Sequence, residues 1–63
     1  MTAYREELLD RVIRIYGFEH PTTIAFAEAC EASPKSAFDD LVLSTYVDMY
    51  ERLEREAEEE EVE

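Results

Sequence analysis

Ser36-Ala-Phe-Asp-Asp-Leu-Val-Leu-Ser-Thr-Tyr-Val-Asp-Met-Tyr-Glu-Arg-Leu-Glu-Arg-Glu-Ala57 spaces its apolar residues as one long α-helix does. At about 100° per residue, Phe38, Leu41, Val42, Thr45, Met49 and Leu53 fall on a single stripe, the i, i+3, i+4 pattern of a core-facing helix. Leu43, Tyr46, Val47, Tyr50 and Ala57 widen the apolar arc beside it, which leaves Asp40, Ser44, Asp48, Glu51 and Arg55 to form a narrow polar face. An arc this wide either fills a crevice between two other helices or turns one stripe toward a partner. Length favours the partner. From Ser36 to Ala57 the helix spans roughly 33 Å, and each preceding segment supplies only half to two-thirds of that. The first stripe is therefore assigned to the chain's own core. Leu43, Tyr46, Val47 and Tyr50, with Leu53, are assigned to a self-association surface.

The size of the chain points the same way. With 63 residues it forms one domain at most, and a domain of that size buries only about 60% of the surface its unfolded chain exposes. Disulfides, metals or oligomerisation usually supply what such a core lacks. The single Cys30 excludes an internal disulfide and, among small residues, reads as a reduced core thiol. Oligomerisation is what remains.

Two shorter segments precede the long helix. Ala3 to Tyr16 alternates an apolar half (Tyr4, Leu8, Leu9, Val12, Ile13, Ile15, Tyr16) with a charged half (Glu6, Glu7, Asp10, Arg11, Arg14). Its acids lie early and its bases late, as the helix dipole favours, and Glu7–Arg11 and Asp10–Arg14 have the spacing of i, i+4 ion pairs. Gly17, the only glycine, stands where a helix C-terminus takes a positive φ. Gly17-Phe-Glu-His-Pro21 then reads as a tight connection into a second helix that starts on Pro21 and ends near Ala32. Thr23, Ile24, Phe26, Ala27 and Cys30 face the core of that helix, with Ile24 and Phe26 as anchors and its small residues allowing it to be clasped between the other two. Ser33-Pro-Lys-Ser36 breaks the chain, and Ser36 with Asp39 forms an approximate capping box for the third helix.

The fold expected is all-α. It is a small three-helix domain over residues 1–57, two short helices in a hairpin packed on a longer third, and it is dimeric. Residues 58–63 are expected to fray or be disordered, because acids at a helix C-terminus oppose the dipole and repel one another.

Charge narrows the functions. The chain holds 17 acidic and 6 basic residues, a net charge of −11, and residues 51–63 alone contribute −6. That balance argues against direct binding to nucleic acid or to an anionic membrane. No apolar run approaches the ~20 residues that span a bilayer, and the acidic start lacks the basic and apolar regions of an export signal, so a cytoplasmic location is expected. Three helices match the size of a helix-turn-helix DNA reader, but the third would present Asp39, Asp40, Asp48 and Glu51 to the phosphates. His20 could serve as a metal ligand or a base, yet zinc wants three or four N or S ligands and one His with one Cys falls short, so a turn or cap role is expected. Glu28-Ala-Cys-Glu31 reads as a solvated edge rather than a metal site. With no phosphate loop, no assembled nucleophile and no metal cluster in the sequence, catalysis and cofactors are not expected.

Two readings remain. The first is a homodimeric assembly, adaptor or regulatory module working through protein–protein contact. The second is a nucleic-acid mimic in which Asp39, Asp40, Asp48 and Glu51 form an acidic face that occupies the basic groove of a nucleic-acid-binding protein.

Overall fold

A computed structural model describes residues 2–61, with side chains through residue 59. These residues form three helices and no strand: α1 (Ala3–Tyr16), α2 (Pro21–Ala32) and α3 (Ala37–Glu61). Helix α1 packs against both others and is the central element. The expectation that α2 would be clasped between its neighbours is thus corrected. Arg5 of α1 reaches Asp40, and Arg11 reaches Asp48 and Glu51, so α1 and α3 run in the same direction and α2 returns between their ends.

The local signals explain where each helix stops. Thr2 caps α1 by accepting the Arg5 backbone N–H at 3.3 Å. Gly17 closes it at φ +100°, donating its N–H to Ile13 O at 2.7 Å; a residue with a Cβ is strained at that φ even though space is open around the site. His20 caps α2 through Nδ1, which accepts the Thr22 N–H at 3.0 Å, and its ring stacks on Tyr16 at 4.7 Å. The Thr23 hydroxyl donates to Gly17 O and ties the turn down. Ser36 Oγ accepts the Asp39 N–H, while its hydroxyl donates to the Asp39 carboxylate.

Leu8, Val12, Phe26, Cys30, Leu43 and Val47 make the buried core, with Leu9, Tyr16 and Tyr50 packed against it. Tyr50 closes one end of this core, edge-on to both Tyr16 and Phe26 at 5.8 and 6.3 Å between ring centroids. Ile24, expected as an anchor, is half exposed, because it lies about 100° around α2 from the buried Thr23.

Arg5 closes the other end. Its side chain is buried. Nε donates to Asp40 Oδ1 at 2.8 Å, one terminal nitrogen donates to Cys30 O at 2.8 Å and Ser33 O at 3.0 Å, and the other donates to Pro34 O. Those carbonyls belong to the end of α2 and the turn after it, where helical partners run out and the dipole favours a cation. One guanidinium thus serves all three helices. Among the described residues no buried side-chain polar atom is left without a partner.

The acidic C-terminus of α3 behaves differently from expectation. The helix continues to Glu61, past Ala57 where charge repulsion predicts fraying. Glu has high intrinsic helix propensity, and single-file extension from a helix already nucleated needs only propagation. Residues 62 and 63 lie outside the described part.

Lysine presents one point charge where arginine presents a fork of five donors. Arg5→Lys should therefore lose about 2–3 kcal/mol or more of stability, measured as a lower urea midpoint by circular dichroism, whereas Arg14→Lys on the exposed face should change it by less than about 0.5 kcal/mol.

Candidate functional site

Helix α3 has two apolar faces about 150° apart around its axis. The inner face carries Leu43 at 2% exposure and Val47 at 0%, with Tyr50 half-buried. These three were expected to meet a partner, and they meet α1 and α2 instead. The outer face carries the stripe expected in the core: Phe38 is 72% exposed, Leu41 64% and Leu53 52%, with Met49 and Thr45 also open to solvent. The two assignments are exchanged at these positions, while Val42 of the expected core stripe is half-buried. Leu53 and Tyr46 keep roughly half their surface free, Tyr46 at the edge of the outer stripe.

Ion pairing sets this rotation of the helix. Asp40 and Glu51 lie eleven residues apart, almost in line along α3 and next to Val47. Asp40 pairs with Arg5, and Glu51 pairs with Arg11 through both carboxylate oxygens, with Asp48 adding a contact at 3.1 Å. Turning the outer stripe inward would carry those carboxylates away from α1. Arg11 therefore spends its guanidinium on α3 and not on the Glu7 pair its spacing allowed. The short bidentate contact with Glu51 is the largest influence raising the Arg11 pKa.

Thr45 fits the outer stripe better than its hydroxyl suggests. Its Oγ1 donates back to Leu41 O at 2.9 Å, so the hydroxyl is satisfied within the helix itself.

The acidic face is divided. Asp39 holds the Ser36 cap, Asp40 holds Arg5, and Asp48 with Glu51 holds Arg11. Three of the four carboxylates face α1 and are matched by cations.

Among the described residues no three His, Cys, Asp or Glu side chains converge as a metal site. His20 uses Nδ1 in its cap. A concavity between Arg14, Ile15 and the Glu51–Glu58 stretch is lined by Arg14 and Arg55 against Glu51, Glu54 and Glu58, two cations among three carboxylates. No helix among the described residues is long and apolar enough to cross a membrane. No protein family, no curated protein and no solved structure matches this chain.

Burial raises the Cys30 thiol above its ordinary pKa, with Arg5 only partly opposing it, so less of it is thiolate at a given pH. Reaction of Cys30 with a chromogenic disulfide at pH 8 should accordingly be slower by on the order of 100-fold in the folded chain than in urea.

Proposed function

We propose that this protein works by protein–protein contact, as a homodimeric assembly, adaptor or regulatory module joined through the outer face of α3. The observation that carries the reading is the run of exposed Phe38, Leu41, Met49 and Leu53 on the helix face opposite the core. Exposed apolar residues scattered singly need no explanation, but a contiguous patch marks an interaction surface.

The stripe is also nearly symmetric about Thr45. Leu41 and Met49 each stand four residues from it, and Phe38 and Leu53 stand seven and eight. Laying a second α3 antiparallel across the first sets Leu41 over Met49, Phe38 over Leu53 and Thr45 over itself. A two-fold interface demands this kind of self-complementarity. The domain's own core, six buried apolar side chains, leaves stability for association to supply.

A non-catalytic role is supported by how the reactive residues are used. Cys30 is buried and His20 is committed to its cap. The nucleic-acid-mimic reading stands second, since Asp40, Asp48 and Glu51 are already matched within the chain.

Leu41→Glu combined with Met49→Glu tests the surface. Sedimentation and light scattering should give twice the 7.4 kDa chain mass for the parent and a single chain mass for the variant, with helicity unchanged and the dimer weakened by on the order of 100-fold or more. A parent chain that stays monomeric, or a variant that still pairs, overturns the assignment. Val47→Glu, in contrast, should unfold the chain.

A further inference from the structure

Helices α1 and α2 and the turn between them enclose a second apolar groove to which α3 contributes no residue. Leu9 and Ile13, one turn apart, form its α1 wall; Ile24 and Ala27 form its α2 wall; Phe18 stands at the end nearest the turn. Ile24 is 50% exposed and Phe18 75%. Its volume, about 250 Å³, lies below the ~300 Å³ at which pockets for drug-sized ligands begin. That space suits side chains projecting from a docked segment rather than a free small molecule.

Glu28 and Glu31 complete the α2 rim. Among the described residues neither lies within ion-pair distance of a cationic side chain, unlike Asp40, Asp48 and Glu51. An apolar floor with two free carboxylates along one edge defines the occupant by complementarity. The acidic end of the chain does not supply it. Residues 58–63 contain five acids and no base and would bring like charge to the rim.

We infer that the α1–α2 groove docks a basic amphipathic helix of a different protein. Large apolar side chains at i, i+3 or i+4 spacing seat between Leu9, Ile13, Ile24 and Ala27, and Lys or Arg residues of the same helix lie beside Glu28 and Glu31. The part of α2 that lines the groove, from Thr23 to Glu31, is roughly 12 Å long and matches about two turns of such a helix. This surface is separate from the outer face of α3, and a monomeric chain would leave it unchanged.

The test uses the full chain, isotope-labelled, titrated with an acetylated leucine–lysine peptide patterned as an amphipathic helix and with a counterpart carrying glutamate for each lysine. The lysine peptide should shift the resonances of Leu9, Ile13, Ile24 and Ala27, and the glutamate peptide should shift none. Glu28→Gln with Glu31→Gln should weaken binding by on the order of fivefold, as two exposed ion pairs imply, while Glu58→Gln with Glu59→Gln, an equal change in net charge, should leave it unchanged. Equal weakening by both pairs would reduce the effect to bulk charge attraction and overturn the inference. Shifts centred on Phe38, Leu41 and Met49, or no binding at about 1 mM peptide, would overturn it as well.

Discussion

Arg5 donates to the carbonyl end of α2 and to Asp40 of α3 from a position without solvent exposure, and the placement of both neighbouring helices follows from those bonds. A buried guanidinium is costly unless its donors are met. Here they are met by carbonyls that have no helical partner of their own. The arrangement links two deficits, an unsolvated cation and an unfinished helix end, and each satisfies the other. It also acts at one end of a short core whose opposite end is closed by aromatic rings alone, Tyr16 and Phe26 against Tyr50. Polar geometry sets the register at one end, and shape fills the other.

The consequence reaches the surface through α3. Once Asp40 is held by Arg5, and Glu51 by Arg11 about three turns later, rotation of that helix is fixed at two points. Leu43 and Val47 then face inward, and Phe38, Leu41, Met49 and Leu53 face water. Among the described residues no other helix covers them. The outer face is a product of the same interaction that completes the core.

Helix boundaries were legible because they rest on local chemistry. Gly17, Pro21 and the Ser36–Asp39 pair mark their positions whatever the tertiary context, and α1 and α2 begin and end where those residues say. Which face of α3 turns inward was not legible from hydrophobicity. Both stripes are apolar, and periodicity weighs them alike. The deciding residues were charged: Arg5 lies in phase with Leu8 and Val12, three and seven residues on, a position where a lone arginine on an otherwise apolar line signals a buried partner. Reading that line together with the Asp40–Glu51 spacing would have oriented α3 correctly. The α1–α2 groove was hidden for a related reason. Ile24 sits at core-like spacing from Ala27, yet its wall has no third helix opposite, and only the packing of both α2 and α3 on α1 reveals the gap.

The proposed dimer places the outer face of α3 between two chains, and intermolecular nuclear Overhauser effects in a mixed sample of isotope-labelled and unlabelled protein address that proposal directly. Contacts between Leu41 and Met49 methyls of different chains, with none from Leu43 or Val47, are the predicted result. Intermolecular contacts from Leu43 or Val47, or their complete absence at concentrations where the mass is that of one chain, would contradict it.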